Sequence, residues 1–388
     1  MLTAKENMRQ AIIGGNPDRF VNQYEGVQLL FDPFSMFHNP MCQKGQENIK
    51  NAWGVYYSFP ENTPGGFPVH TPEKIVVKDI ENWKEYVHAP VLDIPQEEWD
   101  QAQGMYDAVD SEKSFKATFV APGLFEQTHH LCSIDKALLY YVMYPDEMKD
   151  MIKYITEFEL KYAEGICSHL HPDVIFHHDD WGSETNSFLR PEMFEDCFLD
   201  CYKQIYGYYH DHGVEFVIHH SDSYAANLVP YMIEMGIDVW QGALSSNDIV
   251  ACQEELQGDM TIMGGINSVI DRADQTEQLV RDETRRACDT YGPQGHYIPC
   301  NPSGLKNSGI FPLTDKFIDA EVQAYNKDTY GIEEEDFAAA ELELVPAEKS
   351  RDVGFDRSLI ASYGQDDRVC AYTSYMAMLE VEAVRRTS

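Results

Sequence analysis

The stretch 174–184, VIFHHDDWGSE, constrains this chain more than any other. It opens as a short apolar, β-branched run and breaks into a packed set of ionisable side chains with a glycine to turn on, as when a buried strand delivers chemistry to a loop. Helical periodicity precedes it over 146–170 and follows it over 191–212. The arrangement then recurs. Residues 214–219, VEFVIH, form a second apolar run that breaks into His and Asp, as HHSDS, before another helical stretch. Strands alternating with helices specify a parallel sheet, so the two strand ends would sit on one rim.

The remainder of the chain keeps the alternation. A helix over 4–13 closes at Gly14-Gly15, and 19–24, RFVNQY, reads as a strand whose end carries Tyr24. Residues 25–95 are rich in aromatics, Pro and Gly, and read as a loop-rich cover. Its rings would serve as local core or as a cage for a flat ligand. Strands are expected at 115–121, 237–241, 260–263 and 296–300, with helices at 146–170, 191–212, 223–235, from 247, at 274–291 and at 315–330. Seven or eight strand-helix units favour a closed (β/α)8 TIM barrel over an open doubly wound sheet. The barrel would span 1–330. Residues 331–388, which begin in a Glu- and Ala-rich run and continue with Tyr, Met and Val at helical spacing, would form a C-terminal extension packed on the barrel or on a partner subunit. That leaves a homodimer among the assemblies permitted.

Charge narrows the partners. With 29 Lys+Arg against 65 Asp+Glu the formal charge is -36, which disfavours nucleic acid, anionic lipid and polyanionic substrates. The N-terminus has no apolar core of signal-peptide length, and no apolar run approaches a membrane span, so a cytoplasmic protein is expected. Nine cysteines without a CxxC pair point to reduced thiols rather than a disulfide framework. Gly264-Gly265 lacks the spacing of a phosphate-binding loop.

Side chains alternate along a strand, so His177 and Asp179 share one face while His178 and Asp180 share the other. By the same rule His220 and Asp222 lie together, opposite His219. An inward His with an inward carboxylate on adjacent strand ends is a start for a metal site of nitrogen and hard oxygen donors. Equally, such pairs tie neighbouring loops together by hydrogen bonds. The residues alone leave both readings open.

The segments PDRFVNQYE, WGVYYSF, DDWGSETNSFLRPEMF and HHSDS followed by NLVPYMIEMGIDVWQ, in this order, resemble the uroporphyrinogen decarboxylase superfamily over about residues 2–330. The resemblance implies a (β/α)8 barrel and either decarboxylation or zinc-dependent methyl exchange with a corrinoid protein. The decarboxylase branch grips a polycarboxylate with N-terminal arginines, whereas the corresponding stretch here, DRFVNQYEGVQLLFD, holds only Arg19. The methyltransferase branch is the closer fit. Its thiol-directed members hold zinc through His-x-Cys and a later Cys, positions that read His220-Ser221-Asp222 and Pro302-Ser303-Gly304 here, with Cys300 nearby.

Loss of thiolates makes a harder site, suited to activating an ether oxygen. The resemblance therefore implies the methyltransferase component of an anaerobic aromatic O-demethylase, taking a small aromatic methyl ether and passing its methyl to a corrinoid (cobalamin) carried by a partner protein. Its Glu…Glu…His zinc set would have Glu184 and His220 at its ends. The middle position falls near Leu199, so Asp222 or the 300–303 loop, Cys300 first, would complete the set. Asp180 would orient His220 or a ligand, and Tyr24, Trp181 and Asn267 would contact the arene. The competing expectations are a metal-free decarboxylase or lyase and a corrinoid- or tetrapyrrole-binding protein.

Overall fold

The computed structural model describes residues 1–61, 63, 65–267, 276–302, 312–331, 351–353 and 359–361, in two compact units, Met1–Ile332 and Glu333–Ser388. The first unit is a (β/α)8-type barrel. Helix α1 (Ala4–Ile12) leads into β1 (Val27–Leu30), a three-stranded antiparallel sheet of β2 (Ile49–Lys50), β3 (Tyr56–Ser58) and β4 (Phe67–Pro68), and helix α2 (Gln96–Asp107). There follow β5 (Phe115–Val120), α3 (Leu124–Cys132), α4 (Ile134–Met143), α5 (Pro145–Leu170) and β6 (Val174–His178). Next come α6 (Pro191–Phe194), α7 (Asp200–Asp211), β7 (Phe216–His220), α8 (Val229–Met235), β8 (Val239–Ala243) and α9 (Ile249–Leu256). The unit ends with β9 (Thr261–Gly265), α10 (Glu277–Tyr291), β10 (Tyr297–Cys300) and α11 (Pro312–Tyr330).

Seven strands pair in parallel in the order β1-β5-β6-β7-β8-β9-β10. The expected strand over 19–24 does not form. That segment, which leads into β1, instead meets β10 and α11 with side chains: Gln23 accepts from the Asn301 amide at 3.2 Å and donates to Asp319 at 2.8 Å, while Phe20 meets Tyr297 edge-on at 6.5 Å. Gln23 has a positive φ of 51°, which breaks the extended run that the apolar pattern suggests. So the barrel is closed at this seam by side-chain hydrogen bonds and ring contacts rather than by a backbone ladder.

Alternation divides the strand residues between two cores. Phe115, Ala117, Phe119, Val174, Phe176, Phe216, Ile218, Val239, Met263, Ile298 and Cys300 fill the barrel interior, joined by Tyr24. Ile175, Val217, Trp240 and Ile262 face the helices in the larger outer core. Burying an apolar side chain in either layer contributes about 1.5–3 kcal/mol. Three rings of the cover segment, Phe34, Trp53 and Trp83, are core: Trp53 lies against Phe158 at 5.0 Å and Phe34 against Tyr162 at 5.3 Å. The expected helix over 223–235 begins only at Val229, after a 3-10 turn over Ala226–Leu228.

In the Glu333–Ser388 unit, β11 (Arg351–Val353) pairs antiparallel with β12 (Leu359–Ala361), where helical spacing was expected. The rest of 332–388 lies outside the described residues. Among the described residues no helix is long and apolar enough to cross a membrane.

Candidate metal centre at the barrel mouth

Strands β6 and β7 pair in register, with His177 opposite His219 and His178 opposite His220. The even-numbered pair continues the inward series of Phe176 and Ile218, so both imidazoles emerge at the carboxyl end of the barrel. Their rings stack with centroids 4.5 Å apart. Asp180 follows on the same face, with Oδ2 4.0 Å from His178 Nε2 and Oδ1 accepting from the Asp222 amide at 2.9 Å. Ligand atoms of His178, Asp180 and His220 all lie within 4.8 Å of one another.

Each imidazole is held from behind. His220 Nδ1 meets Gln241 Oε1, and the Gln241 amide is oriented by donation from Nε2 to the Asn301 carbonyl at 3.4 Å. An acceptor at Nδ1 fixes the proton there and turns the Nε2 lone pair into the mouth. His178 Nδ1 lies 2.8 Å from Glu126 Oε2 on α3, which fixes that ring in the same way. A cation bound by two imidazoles and a carboxylate finds this pattern ready, since metal-bound histidines engage their other nitrogen with an oxygen acceptor. The donor set, two nitrogens and a hard oxygen, suits zinc with a position left open.

Helix α3 is placed by the opposite face of the same loop. Buried Asp179 accepts from the main-chain amides of Phe125 at 3.0 Å and Glu126 at 2.7 Å, from Trp181 Nε1 at 2.9 Å, and from the Tyr202 hydroxyl. Gly123 makes this approach feasible. A Cβ there would lie 2.5 Å from Asp179 Cβ and 2.7 Å from His177 Cε1. Behind the strands, the Tyr206 hydroxyl bridges His177 Nδ1 at 3.1 Å and His219 Nδ1 at 2.8 Å. The outward histidines thus form a buried structural tie, the inward ones a candidate site.

Electrostatics follow burial and neighbours. Burial pushes Glu126 up to about 7, against the opposing pull of His178. For His178, burial acts downward, but Glu126, Asp180 and Asp222 outweigh it and hold the imidazole up at about 10. Burial and the neighbouring His178 bring His220 down to about 4. His129 also falls to about 4, from burial and His70.

The expected site residues are distributed unevenly. Asp180 and His220 meet, with Asp222 beside them through its amide. Glu184 stands exposed in the turn after Trp181, where its carbonyl accepts from Ser246 Oγ at 2.7 Å. Cys300 points inward from β10 below Gln241, with Sγ 3.9 Å from Gln241 Nε2, one side chain removed from His220. Tyr24 packs against Phe176 in the barrel interior at 6.1 Å. Trp181 corrects the expected contact with an arene: as alternation with His177 and Asp179 requires, it faces outward, is 1% exposed and stacks on His219 at 4.0 Å, in the layer between strands and helices. Asn267 follows β9, half-buried. Ser303 and Gly304 lie outside the described residues.

His178, Glu126, His129 and His130 are brought to the mouth without having been singled out as site residues. For Glu126, His129 and His130 the signal is the E-x-x-H-H spacing after Pro122-Gly123, which puts a carboxylate and two imidazoles on one side of a helix. A groove of about 410 Å3 lined by Gln253, Gln257, Met260 and His296 lies at the other end, where β9 and β10 begin. Catalytic sites of such barrels form at the carboxyl ends, so the His178 and His220 mouth is the candidate.

Comparison with known proteins divides the chain in two. Residues 308–387 match the model described as Aminopeptidase I zinc metalloprotease (M18). Probable M18 family aminopeptidase 1 of Clostridium acetobutylicum is 49% identical over 83 residues, covering 20% of this chain and 18% of that protein. Its namesake in Thermotoga maritima is 49% identical over 75 residues, 19% of this chain and 17% of that protein. The chain thus spans less than a fifth of the curated relatives it matches. The seam falls before α11, so the last barrel helix lies within the M18-like stretch. Among solved structures, a methyltransferase from Methanosarcina mazei superposes with a TM-score of 0.58 at 12% identity, covering 86% of this chain and 100% of that one, which shows the shared fold. Residues 52–303 match the model described as Uroporphyrinogen decarboxylase (URO-D), and as this match takes in well over half of the chain, the protein belongs to that family.

Proposed function

We propose that this member of the family is a metal-dependent methyltransferase that moves the methyl group of an aromatic methyl ether to the cobalt of a corrinoid carried by a partner protein. The observation that carries the reading is the pair of inward imidazoles, each fixed at Nδ1 by an oxygen of Glu126 or Gln241, with ligand atoms within 4.8 Å of one another and of Asp180. Zinc held by His178, Asp180 and His220 would polarise the ether oxygen and stabilise the departing phenoxide. The residues themselves do the rest. Glu126 keeps the His178 proton on Nδ1, Gln241 does so for His220, and the Asp222 amide holds Asp180 in place.

Below the mouth, Phe176 and Tyr24 provide an apolar floor for a ring and exclude water. In the overall reaction the methyl C–O bond breaks, the methyl bonds to cobalt, and the phenoxide takes up a proton. A polycarboxylate substrate is a poorer match. Arg19 is 6% exposed and its guanidinium is engaged by Asp18 at 2.8 Å and Glu25 at 3.4 Å. The test is to incubate the full-length chain, loaded with zinc, with a panel of methoxylated phenols and benzoates and a reduced corrinoid protein. Release of the matching phenol supports the reading. Decarboxylation of a carboxylated substrate with no phenol release would overturn it.

A further inference from the structure

We propose that Glu126, His129 and His130 form a second divalent-cation site on α3, beside the one at the strand ends. The three residues lie at helical spacing i, i+3 and i+4, and their ligand atoms all fall within 4.8 Å of one another. Two imidazoles and a carboxylate from one helix face make a donor set of the kind that takes zinc or cobalt(II).

Independent contacts prepare each ligand. The Tyr57 hydroxyl, from the cover segment, meets His130 Nδ1 at 3.0 Å, so Nε2 is the nitrogen left to bind. His129, half-buried, makes no side-chain hydrogen bond among the described residues, and its ring stands edge-on to His130 at 4.7 Å. The lone pair of its neutral imidazole is therefore available to a cation. Glu126 turns Oε2 to His178, leaving its second oxygen for a cation.

The helix is held rigidly enough to present such a site. Asp179 fixes its first turn through two amides, and His70 Nε2 bonds the His130 carbonyl at 3.0 Å. Glu126 therefore joins the two cation sites, one oxygen on the α3 ion and the other on the imidazole that serves the strand-end ion. The second ion also places positive charge beside Asp180 and Asp222, in a chain of net charge -36.

The inference goes beyond methyl transfer and is tested apart from it. Metal-stripped full-length protein is reloaded with zinc alone, dialysed, and its zinc counted by elemental analysis for wild type, His129→Gln, His220→Asn and the double variant. His129→Ala is run in parallel, and circular dichroism verifies the fold of each. A cation held elsewhere, the 308–387 stretch included, is common to all and cancels in the differences. The site predicts one zinc fewer in each single variant and two fewer in the double. An unchanged count in both His129 variants overturns it, as does a double variant that loses no more zinc than His220→Asn alone. Loss confined to His220→Asn would sink the second site while leaving the first intact.

Discussion

His178 Nδ1 and Glu126 Oε2 lie 2.8 Å apart, joining an imidazole at a strand end to a carboxylate in the first turn of the next-door helix. Removing the carboxylate's charge should release the imidazole. In metal-free Glu126→Gln the His178 pKa is expected to fall from its raised position, because burial then acts against fewer carboxylates. Carbon-13 NMR of the ring reads this directly. An unmoved titration would show that Asp180 and Asp222 alone sustain the shift.

Gly123→Ala should be costly for its size. Its methyl would meet Asp179 and His177 inside contact distance, where nothing is the far end of a flexible chain. Overpacking of this kind costs about 1–3 kcal/mol, and urea unfolding is the check. Because the same displacement shifts Glu126, metal affinity should drop as well. Wild-type stability in this variant would mean that the helix start is free to move.

The two faces of the strands should respond differently. Tyr206→Phe leaves His177 and His219 without their shared hydroxyl, at a cost of about 1–3 kcal/mol for buried groups left unpaired. Metal content should be unchanged. If instead the variant loses its metal, the outward histidines serve the site as well as the fold.

Much of this was legible in the sequence. The β-branched runs that break into His and Asp mark β6 and β7, and alternation alone separates His178 and Asp180 from His177 and Asp179. The strand expected over 19–24 failed because Gln23 takes a left-handed conformation and because its side chain finds partners in Asn301 and Asp319, contacts nearly 300 residues away in sequence. Glu184 is a carboxylate near two His-Asp pairs in the sequence, but the Gly182 turn leaves it exposed, and a turn's direction is set by tertiary contacts. In Gly182 a Cβ would meet the Tyr224 carbonyl at 2.4 Å. The role of Glu126 depended on how α3 docks, which the buried Asp179 decides and periodicity does not reveal.

Acid should weaken the metal-free fold through its buried neutral imidazoles. His129 has a folded pKa of about 4, below that of an ordinary His, so the unfolded chain binds its proton first as pH falls. Its contribution is complete above about 6.5 and is lost progressively as pH falls toward about 4, at about 1.4 kcal/mol per pKa unit. Urea unfolding of metal-free wild type and His129→Gln from pH 7.5 to 4.5 should show the shallower dependence in the variant. Parallel curves would place His129 in a hydrated, ordinary environment.

The central claim is that the imidazoles at the ends of β6 and β7 hold a metal on which methyl transfer depends. It is tested most directly by following a carbon-13 methyl group from a labelled phenyl methyl ether to a reduced corrinoid protein. Native, metal-stripped and zinc-reloaded full-length protein are compared with reloaded His220→Ala. The account predicts transfer by native protein, its loss on stripping, its return on reloading, and no return in His220→Ala. Transfer by the stripped protein at the native rate would contradict it.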